Sequence, residues 1–300
     1  EDHLVAGISM NGGHDSGKPE DAQPSPERIE TAWSSIFYIV AAFMLLLALY
    51  HWRFMPKATA DVPRREKTFR QILVNFGRTF ATFFAKKGIF EALAFMLLFR
   101  VPEAICLKLV GPFLLDSREM GGLAMTTADV GLANGIVGVI GILLGGILGG
   151  VVIAWRGLKF WLWPMACALT LPCILYFLLA LLQPETNVTG LLFINVAIFI
   201  EQFGYGFGFT AFMLYLIYFS EGPWKTAHYA FCTAFMALGM MIPGMVAGLL
   251  YELLDSVQLF GSGHQGYVNF FAYVVVSSIF TFAACLLVKI DPKFGKKNAV

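Results

Sequence analysis

The chain predicts an all-α integral membrane protein. Three observations carry the prediction: its composition, a series of apolar stretches of membrane-spanning length, and a lopsided distribution of positive charge among the segments between them. Of the 300 residues, 58% are hydrophobic and 14% charged, and the mean hydropathy is +0.70. That leaves too little polar surface for a water-soluble globule. The net charge is only +1, and the basic residues sit in segments flanking apolar spans rather than on one soluble domain, which argues against a nucleic-acid partner. Cys106, Cys167, Cys173, Cys232 and Cys285 all lie inside apolar segments, with no CxxC pair and no His-Cys cluster. They read as free thiols acting as small hydrophobes, so neither a disulfide framework nor a bound metal is expected.

A helix needs about 20 apolar residues to cross about 30 Å of hydrocarbon. Seven stretches meet that length, near residues 32–55, 88–115, 126–154, 158–183, 190–220, 226–254 and 267–288. The segment between the first two holds Lys57, Arg64, Arg65, Lys67, Arg70, Arg78, Lys86 and Lys87, and positive charge marks the cytoplasmic side. Alternating sides from there puts 16 of the 21 Lys and Arg residues on that side, including Arg156 and Lys159 in the short turn between the third and fourth spans. The expected orientation is N-terminus outside and C-terminus inside.

Residues 1–31 carry seven Asp or Glu against two Lys or Arg, are rich in Gly and Pro, and lack the apolar core of a signal peptide. An odd span count, an outside N-terminus without a signal and a first residue that is Glu lead to the expectation of further spans upstream. The division expected is an acidic outer segment (1–31), a membrane helix (32–55), a basic linker (56–87), a six-helix unit (88–288) and a basic tail (289–300). Within the linker, Phe69, Ile72, Leu73, Phe76, Phe80, Phe83 and Phe84 recur at helical spacing among basic residues. That pattern predicts an amphipathic helix on the membrane surface, acting either as a link between two halves or as a membrane-hugging loop.

Charges inside the spans are the candidate functional residues, because a carboxylate at mid-membrane costs about 2.5 to 3.5 kcal/mol on insertion scales and faces a bundle interior or watery cavity. Glu201 is the sole charge between Gly190 and Ser220, in the run Glu201-Gln202-Phe203-Gly204-Tyr205-Gly206-Phe207-Gly208-Phe209-Thr210. Burial disfavours the charged form of a carboxylate, which suits a group that exchanges protons. A static pairing with Arg100 or Lys108 is the competing reading. In the second span Arg100 and Glu103 lie three apart on one helix face, and Pro102 between them is expected to kink or unwind the helix. Either a substrate or ion site or a self-contained ion pair fits that arrangement.

Glycine spacing points to close helix packing. Gly131, Gly135, Gly138, Gly141, Gly145 and Gly149 form a stripe at intervals of three and four. Gly204, Gly206 and Gly208 open room for a ligand or a neighbouring backbone, and Pro243 with Gly239, Gly244 and Gly248 marks a bendable sixth span. His228 stands near a span end, where a solvated histidine is expected.

These motifs resemble those of the AmpG-type muropeptide permeases, a branch of the major facilitator superfamily, over roughly residues 89–288. The resemblance rests on Glu201-Gln202 followed by Gly206, Gly208, Thr210, Ala211 and Phe212, on Thr226-Ala227-His228-Tyr229-Ala230, and on Gly149-Gly150 with Arg156. The chain departs from the family at His228, where Gln is common, and at Glu103, where Asp is typical. The resemblance implies a major facilitator helix bundle of twelve helices in two halves, with this chain supplying helices 6–12 and an N-terminal half lying upstream. It further implies proton-driven import of anhydromuropeptides across the bacterial inner membrane, with the proton gradient as energy source and no cofactor. Arg100, Glu103, Glu201, Gln202 and Thr210 would then line the substrate and proton pathway. Gly135, Gly145, Gly149, Gly204, Gly206, Gly208 and Pro243 would serve packing and gating. A carrier for a sugar, peptide or acyl-CoA is the alternative within this class. A membrane-embedded acyltransferase or hydrolase is the alternative outside it, and no GxSxG or HExxH motif supports one.

Overall fold

In a computed structural model, residues 26–55, 68–257, 259 and 265–297 are described. Most of the acidic segment, the basic stretch 56–67 and the last three residues of the tail lie outside the described residues. Among the described residues every regular element is helical, and the protein is an all-α membrane helix bundle. The chain divides into two units, residues 1–66 and 67–300. The first unit contributes α1 (Pro26–Phe54), an apolar helix with Arg53 in its last turn, where positive charge complements the helix dipole.

The second unit contains α2 (Phe69–Phe84), α3 (Ile89–Leu98), α4 (Val101–Leu115), α5 (Thr127–Leu132), α6 (Val139–Arg156), α7 (Leu158–Thr170), α8 (Cys173–Leu182), α9 (Val188–Ser220), α10 (Lys225–Asp255) and α11 (Gly266–Leu287). A π-helical turn, Ala133–Gly138, joins α5 to α6. Six segments are long and apolar enough to cross a membrane: Glu30–Phe54, Thr127–Arg156, Leu158–Leu182, Val188–Ser220, Lys225–Asp255 and Gly266–Leu287. The remaining expected span, 88–115, is helical but broken at Phe99 and Arg100 into α3 and α4. Pro102 causes the break, since it has no N–H for the Leu98 carbonyl and its ring crowds that group.

A break at this depth frees backbone polar groups that lipid cannot satisfy. One is met across the bundle: the Thr281 hydroxyl of α11 donates to the Phe99 carbonyl at 2.8 Å, and Thr281 is fully buried. Substituting Thr281→Val keeps the shape and removes the donor. We expect a loss of about 1 kcal/mol, read as a lower melting temperature in detergent; an unchanged melting temperature would show the carbonyl needs no partner. A second break, at Leu171 and Pro172 between α7 and α8, was not anticipated from the sequence, although Pro172 produces it by the same means.

The glycine stripe divides by position. A Cβ at Gly141 would stand 2.9 Å from the Phe199 carbonyl oxygen, one at Gly145 would fall on the Phe203 carbonyl, and one at Gly149 would meet the Thr210 hydroxyl at 2.9 Å. From the facing side, a Cβ at Gly206 would fall on the Ile142 carbonyl. Helices α6 and α9 therefore lie backbone against backbone. Gly131 and Gly135 lie beyond this seam, with no atom within 4 Å of where a Cβ would stand. Gly204 and Gly208 face the other way, against the Ala168 and Met165 carbonyls of α7. A neighbouring backbone, rather than a ligand, occupies the room these glycines leave. In α10, Gly239 approaches the Met96 and Leu97 carbonyls of α3, and the helix continues through Pro243 without interruption.

Helix α2 has the predicted amphipathic character and docks by its C-terminal half. Phe83 is fully buried in a ring cluster with Phe219, His228, Phe231 and Phe235. Lys86 donates to the carbonyls of Phe219 and of Glu221, the latter at 2.8 Å. This docking corrects the expectation for His228, which is 2% exposed rather than solvated, with its Nε2 3.2 Å from the Thr82 hydroxyl.

Candidate functional site

Two apolar cores occupy the bundle. One gathers Phe95, Phe99, Leu169, Phe207, Ala211, Phe212 and Ala284, the other Ile105, Cys106, Cys173, Tyr176, Ile198 and Val274. On each of three spans a set of buried polar residues falls between residues of the first core and residues of the second. Arg100 and Glu103 do so on the broken span, Glu201 on α9, and Ser277, Ser278 and Thr281 on α11. The result is a polar layer at mid-span, where desolvation demands that each group find a partner.

Arg100 and Glu103, 5% and 3% exposed, form a two-pronged ion pair. The Arg100 Nε donates to Glu103 Oε2 at 2.9 Å and its Nη2 to Oε1 at 2.6 Å. Because Pro102 opens the helix at this point, Arg100 stands outside the first turn of α4 and Glu103 within it, so the short local spacing closes into a fork-to-fork contact. The guanidinium reaches α9 as well, donating to the Tyr205 hydroxyl at 3.0 Å and lying over the Phe209 ring at 4.6 Å.

Glu201 is 6% exposed and holds neutral partners instead. Tyr176 of α8 donates to its Oε2 at 3.2 Å, and the Gln202 amide donates to the same oxygen at 2.8 Å. Among the described residues no cation lies within ion-pair distance of it: Arg100 is engaged by Glu103, and the Lys108 stem lies against Gly244 of α10. The pair and Glu201 meet on α9, where Tyr205, the hydroxyl that Arg100 holds at 3.0 Å, stands one helical turn beyond Glu201.

Thr210 lies elsewhere. Nine residues on from Glu201, roughly 13 Å along the helix, its hydroxyl donates to the Gly206 carbonyl at 2.9 Å and packs on Gly149 in the α6 seam. Arg156 and Lys159 lie at the turn between α6 and α7, remote in the fold from the polar layer. Sequence reasoning passed over Tyr176, Tyr205 and Thr281, which complete the layer. Tyr205 had a signal, a hydroxyl one helical turn beyond Glu201; Tyr176 had only its isolation as a polar tip in an apolar span.

The fold and this layer define a multi-pass helical membrane protein with a charged, hydrogen-bonded cluster inside the bundle. In sequence it is similar to AmpG-type permeases. It is 23% identical to the anhydromuropeptide permease of Escherichia coli K12 over 220 residues, 73% of this chain and 42% of that protein. It is 21% identical to the AmpG 1 protein of Rickettsia prowazekii over 197 residues, 66% of this chain and 40% of that protein, and 24% identical to its counterpart in Rickettsia conorii over the same share of this chain. The matches thus cover well under half the length of these relatives. No family model matches the chain.

Proposed function

We propose that the chain is the C-terminal portion, helices 6–12, of a major facilitator secondary transporter that imports anhydromuropeptides across the bacterial inner membrane with protons. Its N-terminus would face the periplasm and its C-terminus the cytoplasm, and an upstream six-helix half would complete the solute path. The proton gradient would supply the energy, without a cofactor or covalent catalysis.

The observation that carries this reading is the setting of Glu201. A buried carboxylate held by neutral donors can lose or take up a proton without stranding a cation. Glu103 cannot do so freely, because its protonation would leave Arg100 buried and unpaired. Glu201 is therefore the proton-exchanging group, and the adjoining Arg100–Glu103 pair senses its charge across the layer. A solute that competes for Arg100 or Tyr205 would alter the balance between the two carboxyls. That competition would link solute occupancy to protonation as the two halves rock around the site.

The test is uptake of labelled anhydromuropeptide into vesicles containing the chain together with the upstream half, with and without an inward proton gradient. We expect gradient-dependent accumulation of chemically unchanged solute, and in Glu201→Gln uptake that no longer responds to the gradient or to a pH series. Preserved pH dependence in that variant would remove Glu201 from the coupling role. A folded protein that accumulates a sugar, peptide or acyl-CoA instead would redirect the solute assignment. Recovery of a modified solute would favour a membrane-embedded enzyme.

A further inference from the structure

The turn between α6 and α7 and the C-terminal tail meet at one end of the bundle. The Leu158 N–H donates to the Phe294 carbonyl at 3.0 Å and the Lys297 N–H to the Ala154 carbonyl at 2.9 Å. Gly157 and Gly295 permit the close approach: both take left-handed φ, at 86° and 84°, and a Cβ at Gly157 would stand 3.1 Å from the Phe294 carbonyl oxygen. The fold-back brings Lys296 and Lys297, distant in sequence, to the same place as Arg156 and Lys159.

Two open cavities result. One, of about 800 Å³, is lined by Trp155, Arg156, Lys159, Phe160 and Lys296; the other, of about 510 Å³, shares Trp155 and Lys296 and adds Lys297. No carboxylate lines either among the described residues. The nearby Asp291 turns its Oδ1 to the Lys293 N–H at 2.8 Å. None of the four cations has an acidic ion-pair partner among the described residues. Arg156 stacks instead on the Phe160 ring at 4.7 Å and the Trp155 ring at 5.4 Å, and Trp155 is 74% exposed. Two candidate spans terminate here, at Arg156 and Leu158, so the cluster sits at headgroup depth with exposed apolar Val151 one helical turn into the membrane.

We infer that this cluster is a binding site for the phosphate of an anionic phospholipid. The uncompensated cations take the headgroup phosphate, Trp155 and Phe160 sit at the interface as amphipathic anchors, and an acyl chain runs along the Val151 face of α6. A smaller cavity of about 280 Å³ at the Lys87, Glu91 and Lys289 cluster is the natural comparison, because its carboxylate offsets the cations.

The test is native mass spectrometry of the full chain in detergent with phosphatidylglycerol, phosphatidylcholine or inorganic phosphate. Phosphatidylglycerol adducts are expected to survive in preference to phosphatidylcholine by roughly tenfold. That preference is expected to vanish in Arg156→Gln/Lys296→Gln and persist in Lys87→Gln/Lys289→Gln. Undiminished preference in the first variant would overturn the site. Inorganic phosphate bound as well as the lipid would overturn the lipid assignment. Should the variant not fold, photoactivatable phosphatidylglycerol on the unaltered chain decides the matter: cross-links are expected in 151–160 and 293–297, and cross-links confined elsewhere would refute the proposal.

Discussion

Replacing Arg100 with methionine is expected to destabilise the bundle by about 3–5 kcal/mol, the cost of leaving one member of a buried ion pair without its partner. Glu103, 3% exposed, has the Arg100 guanidinium as its only hydrogen-bond partner side chain among the described residues. Once the guanidinium is gone, the carboxylate must ionise without compensation or carry a proton with nothing to receive it. The paired substitution Arg100→Met with Glu103→Leu removes both charges and is expected to recover most of the loss, since a well-packed apolar replacement of a buried pair is often neutral. Melting temperatures in detergent for both singles and the double would decide the point. If the double were as unstable as the single, the damage would lie in packing around Tyr205 and Phe209 rather than in stranded charge. The pair's proposed role in transport makes a separate prediction: the stable double variant would still fail in uptake.

Leucine at Gly145 is expected to cost upward of about 3 kcal/mol, as an overpacking change that the neighbours cannot absorb. A Cβ there would fall on the Phe203 carbonyl oxygen and stand 2.8 Å from the Phe207 nitrogen. These are backbone atoms of α9, and no rotamer change moves them aside. Helices α6 and α9 would have to separate along their whole seam, which carries Gly141, Gly149 and Gly206 in the same close contact. Gly150 is the matched control, because no atom lies within 4 Å of a Cβ built there. Leucine at that position is expected to stay within about 0.5 kcal/mol of the parent. Reversible unfolding in mixed micelles would measure both, and equal losses at the two sites would mean that helix propensity, not contact, governs the stripe.

Much of the architecture is legible in the sequence. Span positions follow from apolar run length, a one-dimensional property, and the six helical spans begin and end within a few residues of the stretches read from sequence. The break at Phe99 and Arg100 was legible too, because Pro102 acts on its own backbone. So was the closeness of Arg100 and Glu103, three residues apart on one turn. The break at Pro172 carried the same signal without any neighbouring charge to draw notice to it.

The tertiary structure decided what depends on helix crossing. Six glycines share one stripe in sequence, yet only those opposite α9 meet its backbone, because two crossing helices approach closely over a limited length. Thr210 shared a motif with Glu201 but belongs to the α6 seam, since nine residues along a helix carry a side chain to another level and another neighbour. Glu201 and Tyr176 lie on different helices, and nothing local joins them; the bundle does. His228 stands at a span end, where solvent is expected, yet Thr82 and Phe83 of α2 cover it. The sequence by itself determined a membrane bundle, its spans and the charges inside it, because hydrophobic length and local backbone chemistry act along the chain. Which charge found a cation and which found only neutral donors was settled by packing, because a buried group's partners come from whichever helices the fold sets beside it.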